Sequence, residues 1–150
     1  MTQSRRTVIQ GVGVGLVAQL AASEAQAQGE AKVGEMWSGE YWANKGDVKL
    51  YMCRKRVGAP KAGESLPALF LVHGSSISAR PTFDLTVSGK GEYSLMDAFA
   101  RWGFDVWTMD HENYGRSSRT SGNSDIASGV EDLKAGSRWW RARAAGRRCT

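Results

Sequence analysis

Residues 68–75 read Ala-Leu-Phe-Leu-Val-His-Gly-Ser, and residues 103–118 read Gly-Phe-Asp-Val-Trp-Thr-Met-Asp-His-Glu-Asn-Tyr-Gly-Arg-Ser-Ser. Each is a short apolar run that stops abruptly at a polar, glycine-bearing segment. An unbroken apolar run of this length suits a central parallel strand covered on both faces. Between the two runs, Ser94 and Asp97 have the S-x-x-D spacing of a capping box. Leu95, Met96, Phe99 and Trp102 then recur at helical spacing, and Gly103 is placed to end the last turn. The segment from Ala68 to Met109 therefore predicts a βαβ crossover with a long first loop.

Two strands are expected upstream, Glu40–Ala43 and Val48–Val57, around the turn Asn44-Lys45-Gly46-Asp47. In the second, Val48, Leu50 and Met52 alternate with Lys49, Tyr51 and Cys53, as in a strand with one buried face. A second helix is expected from Asp125 to Ala135, with Ile126, Val130 and Leu133 on one face. An antiparallel hairpin followed by a βαβ unit gives an α/β fold. Trp102 and Trp107 fall at helix and strand spacing and read as core.

Ligands of open α/β sheets bind outside the carboxyl ends of the strands. Two loops lie there. In His73-Gly74-Ser75-Ser76, a glycine directly after a strand lets the backbone turn sharply and leaves the following N–H groups free to face an oxyanion. Asp110 to Ser118 is the other. His73 is read as structural rather than as a general base. Asp110, His111 and Glu112 belong to zinc-binding residue types, but adjacent residues point apart and no fourth ligand has suitable spacing. They read as a solvated turn with a local Asp hydrogen bond to backbone, and no metal or cofactor is expected. Ser117 and Ser118 read as loop residues, not nucleophiles.

LFLVHGSS and GFDVWTMDHENYGRSS, with the helix between them, resemble the α/β-hydrolase family over roughly Val48 to Ala135. The resemblance implies the amino-terminal portion of a hydrolase sheet, incomplete within these residues. It assigns His73, Gly74, Ser75 and Ser76 to the oxyanion hole, with the Ser75 N–H as donor. Asp110, Asn113, Gly115 and Ser117 then mark a second loop at the active-site edge. Asn113 stands where the family usually has Gly, and Asn tolerates a left-handed backbone better than most residues. The family uses a serine on a G-x-S-x-G turn, then an acid and a histidine. No G-x-S-x-G occurs here, and His73 and His111, the two histidines, precede any place for it. The expected catalytic set within this chain is therefore none. The intact form is expected to hydrolyse an ester or related small carbonyl substrate by serine acylation, and the chain alone is expected to be inactive.

The two ends carry different expectations. Residues 1–27 read as an export signal, with Arg5-Arg6 resembling a twin-arginine leader and Ala25-Gln26-Ala27 as a small-x-small cleavage site. They imply the export machinery as a partner and a periplasmic or secreted location. The net charge of +5 comes from the ends, because residues 28–136 hold 13 basic against 14 acidic side chains. That near-neutral body, the expected partial hydrolase domain, argues against a nucleic-acid partner. Residues 137–150 hold five Arg and no acid. They read as a disordered or non-native tail from a shifted reading frame, which would make the chain a cut-short hydrolase. Two other readings stand beside this one: a non-catalytic exported binding module that uses the same two loops, and an interaction protein acting through Arg138 to Arg148. Cys53 and Cys149 allow one bridge at most.

Overall fold

The computed structural model describes residues 34–144. The expected leader at 1–27 and Cys149 lie outside the described residues. The elements in order are β1 (Met36–Lys45), β2 (Val48–Val57), β3 (Ala68–Val72), α1 (Ala79–Phe83), α2 (Leu95–Arg101), β4 (Asp105–Met109) and α3 (Ile126–Ala144). They build one four-stranded mixed sheet in the order β1-β2-β4-β3. β1 and β2 form an antiparallel hairpin, β2 pairs antiparallel with β4, and β3 pairs parallel with β4. This is the expected hairpin plus βαβ unit, an α/β fold.

The hairpin is longer than expected, reaching back to Met36 opposite Val57. Its loop is the pair Gly46-Asp47, and Gly46 sits at φ +58, as a two-residue hairpin with glycine first requires. α2 begins where the spacing places it. The Ser94 Oγ accepts from the Asp97 N–H at 3.0 Å, but the Asp97 carboxylate turns away to accept from Lys55 Nζ at 2.7 Å. Only half of the capping box therefore forms. At the other end Gly103 adopts φ +94. Its N–H donates to Ala100 O and that of Phe104 to Phe99 O, the two bonds of a Schellman termination.

The sheet is covered on both faces. Ala43, Leu50, Met52, Trp107 and Met109 pack on one side against Ala135, with Trp139 and Trp140 alongside. Tyr51, Cys53 and Val106 pack on the other against Met96 and Ala100 of α2. This corrects the reading of β2 as one-sided: Leu50 to Cys53 are all buried, because alternate residues face α3 and α2.

Five further expectations are corrected. β3 is not the central strand; it ends the sheet among the described residues, with Val72 44% exposed, and β4 takes the interior place with every residue buried. The long first loop contains α1, a single short helix whose Pro81 falls in its first turn, where a missing N–H costs nothing. α3 does not stop at Ala135. It continues to Ala144, so residues 137–144 are helical rather than a disordered tail. The Trp139 ring packs at an angle against Tyr41 and edge-on against Trp107, with centroids 5.2 Å and 6.1 Å apart, and Ala and Arg are strong helix formers. Trp102 is 58% exposed at the end of α2 rather than core, and Ile126 and Val130 are also exposed, because α3 turns Asp132, Ala135 and Gly136 inward instead.

The β3 edge and the exposed Val72 and Val130 flank an apolar groove with Phe70 and Leu133. An open apolar edge templates pairing with other chains. The purified chain is expected to self-associate with rising concentration in sedimentation velocity, and Val72→Lys to reduce that association. A monodisperse monomer at every concentration contradicts the exposed edge.

Candidate functional site

The two loops lie side by side because β3 and β4 are parallel neighbours. Asp110 joins them. Its carboxylate is 2% exposed and accepts from the Ala79 N–H at 2.8 Å and from the Arg116 N–H at 2.9 Å. One bond thus reaches the start of α1, beyond the first loop, and the other closes the second loop on itself. The reading of Asp110 as solvated is corrected; the local bond to backbone is present. Gly115 is held at φ +46, and a Cβ there would stand 2.0 Å from Asp110 Oδ2. The D-x-x-x-x-G spacing therefore follows from one close approach.

Ser117 is buried, donates to the Asp110 carbonyl at 2.6 Å and accepts from the Tyr51 N–H at 2.9 Å. Ser118 Oγ accepts from Lys49 N–H. Both serines fasten the loop to β2. Asn113 takes φ +68, and its side chain accepts from the Thr120 N–H and donates to Gly122 O.

The two histidines meet edge to face with ring centroids 4.8 Å apart. His73 is buried; its Nε2 accepts from the His111 N–H at 3.1 Å, so Nδ1 carries the proton and donates to Gly74 O at 2.7 Å. These bonds use both ring nitrogens structurally. His111 Nδ1 lies 3.1 Å from Asp132 Oδ2 on α3. Asp132 also accepts from the Glu112 N–H and from Lys45 Nζ. Lys45 reaches Glu112 as well, at 2.5 Å, so one cation ties the hairpin, the loop and the helix together. Burial pulls the His111 pKa down, against the Asp132 bond. The Lys45 bond holds Glu112 below the usual carboxylate range. Burial alone would lower Lys45, but its bonds to Asp132 and Glu112 outweigh that and raise it.

The loops open on a cleft of about 290 Å³ bounded by His73, Gly74, Ser75, His111, Tyr114 and residues of α3. Gly74, Ser75 and Ser76 are exposed. The Ser75 N–H has no acceptor among the described residues. Tyr114 Oη stands 3.4 Å from both Ser75 Oγ and the Ser76 N, and the Ser75 contact, then the Ser76 N–H, lowers its pKa. Ser76 is at φ +72, which turns its N–H toward that hydroxyl. The edge of the cleft thus carries two neutral donor groups, the Ser75 N–H and the Tyr114 hydroxyl. Among the described residues no group of three His, Cys, Asp or Glu is arranged to hold a metal ion.

The four residues of the first loop and the four of the second come together at one end of the sheet. Asp110, Gly115 and Ser117 build the second loop rather than face the cleft. Tyr114 and Asp132 were missed. Tyr114 sits unmarked within the second loop, and Asp132 lies 21 residues beyond His111 on a helix, where no local spacing ties the two.

No family model matches the sequence, and neither does any curated protein. Among solved structures the chain is similar to a predicted CIB-like hydrolase from Thermoplasma acidophilum, at 16% identity and a TM-score of 0.45 over 69% of this chain. It spans 47% of that protein's length.

The lowered His111 pKa sets a pH dependence. The unfolded chain binds a proton at roughly 6.5, where folded His111 does not. Stability is then full above that pH and declines as pH falls below it. Calorimetric midpoints are expected to drop over that window, and His111→Gln to flatten the drop. An equal drop in the variant contradicts it.

Proposed function

We propose that the loops after β3 and β4 form the oxyanion-binding half of an acyl-transfer site of the α/β-hydrolase type, acting on an ester or related small carbonyl substrate. The observation that carries this reading is the Ser75 N–H, exposed at the cleft without an acceptor among the described residues. In such hydrolases one oxyanion donor comes from the loop between the third strand and the first helix, and the other follows the nucleophile. The loop from His73 to Ser78 has that place here, between β3 and α1.

In this reading, attack on the substrate carbonyl moves negative charge onto its oxygen. The Ser75 N–H would meet that charge, and Tyr114 Oη would add a hydroxyl donor beside it. His73 and Asp110 set the loop backbone and take no proton from substrate. A nucleophilic serine on G-x-S-x-G would supply the acylation step, and no such string occurs among the 150 residues. The chain by itself is therefore expected to leave esters at their background rate. Residues 1–27 would direct it out of the cytoplasm, and the near-neutral body, with 13 basic against 14 acidic side chains in residues 28–136, favours a small-molecule ligand over nucleic acid.

Titration of the ¹⁵N-labelled chain with phenylphosphonate, a tetrahedral oxyanion mimic, tests the site. The Ser75 amide resonance is expected to shift saturably. Ser75→Ala should keep the shift at residue 75, whereas Ser75→Pro, which lacks the N–H, should weaken binding by about 10²-fold or more. Equal binding by the Pro variant, with its fold intact, would overturn the assignment.

A further inference from the structure

We propose that a second cavity, at the opposite end of the sheet, binds a small organic anion: a flat apolar body carrying an oxyanion head group. It rests on no part of the hydrolytic reading. Ala68 and Asp105, the first residues of β3 and β4, line it, whereas the candidate cleft follows the last residues of those strands. Its volume is about 540 Å³, within the range of small-molecule sites. The loop from Pro60 to Leu66 forms one wall, and Trp140 and Arg143 of α3 form another.

The charges lining it do not cancel. Arg54 is satisfied by Asp105, through two parallel bonds of 2.7 Å. Arg56 is satisfied by Glu64 at 2.5 Å and by the Gly58 carbonyl. Lys61 and Arg143 also line the cavity, and neither has an acidic partner among the described residues. Arg143 is positioned rather than loose: its guanidinium lies 5.0 Å from the Tyr41 ring centre and 5.2 Å from that of Trp139. Held against the two rings, its guanidinium makes no hydrogen bond or ion pair among the described residues, which leaves its N–H groups for a ligand.

An independent feature points the same way. Trp107 lines this cavity, is 2% exposed, and its Nε1–H has no hydrogen-bond partner. A buried indole N–H normally finds an acceptor. A carboxylate or phosphate oxygen seated between Lys61 and Arg143 would neutralise them, and it would reach the Nε1–H by displacing the side chains that cover it in this structure. The indole ring of Trp140, with Leu66 and Ala68, gives the apolar surface for the flat body, whereas the face of Trp107 is covered by the Arg54 guanidinium at 4.9 Å.

The probes are benzoate, phenyl phosphate and neutral benzyl alcohol, added to the full ¹⁵N-labelled chain. The Trp107 indole N–H resonance is identified by its loss in Trp107→Phe. At least one anion is expected to shift it saturably, benzyl alcohol is not, and the tighter anion names the head group. Lys61→Gln with Arg143→Gln should weaken that binding by about tenfold or more. Lys61→Gln alone, on an exposed loop, provides the same readout should the double variant fail to fold. A resonance that no anion moves, an equal shift with benzyl alcohol, or wild-type affinity in the folded Lys61 variant would each overturn the proposal.

Discussion

The carboxylate of Asp110 is the constraint on which the cleft end of this fold depends. It is buried, it follows directly on the most buried strand, and its two oxygens meet backbone N–H groups from both sides. A buried carboxylate without partners is costly to desolvate, whereas one accepting two backbone bonds is held strongly. The geometry then dictates the rest. The second loop must curl back to bring the Arg116 N–H to Oδ2, which leaves Gly115 no room for a Cβ. The first loop must deliver Ala79 to Oδ1, which fixes the backbone running from His73 to α1. The free Ser75 N–H and the Tyr114 hydroxyl are brought together by that pair of demands.

A second set of bonds ties this end to the helix. Asp132 sits 1% exposed on α3 and gathers His111, the Glu112 N–H and Lys45. Removing one partner from such a cluster leaves buried charge uncompensated, so its members are interdependent. The helix itself can lie close to the sheet because Gly136 faces Met109, where a Cβ would stand 2.9 Å from the sulfur. Between them, Asp110 and Asp132 make the two loops, α1 and α3 behave as one unit around the cleft.

Much of this was legible in the residues. The apolar runs at Ala68 and Phe104, the Ser94 cap, the Gly103 stop and the turn at Gly46 each rest on local rules of periodicity or backbone conformation. What escaped was decided at longer range. Whether β3 or β4 lies inside depends on strand order, which the apolar content of either does not encode. The inward face of α3 is made of Asp132, Ala135 and Gly136 rather than Ile126 and Val130, because a charged partner and a close approach outrank hydrophobicity there. The helical reach to Ala144 was hidden by the arginines, whose stems and Ala neighbours favour helix although their charges suggest a solvated tail. At the site, the placement of His73, Ser75 and Asp110 at strand ends was readable, whereas the Asp132–His111 bond joins residues that no motif connects.

The central claim is that Asp110 holds both loops at once and so presents the Ser75 N–H. Amide hydrogen exchange in wild type and Asp110→Asn tests this most directly, since the variant keeps the shape of the side chain and replaces one acceptor oxygen by a donor. The account predicts faster exchange at Ala79 or Arg116, with Ser76 following through its loop, while Val106 to Met109 in the sheet stay protected. Unchanged exchange at both Ala79 and Arg116 in a folded variant would contradict it.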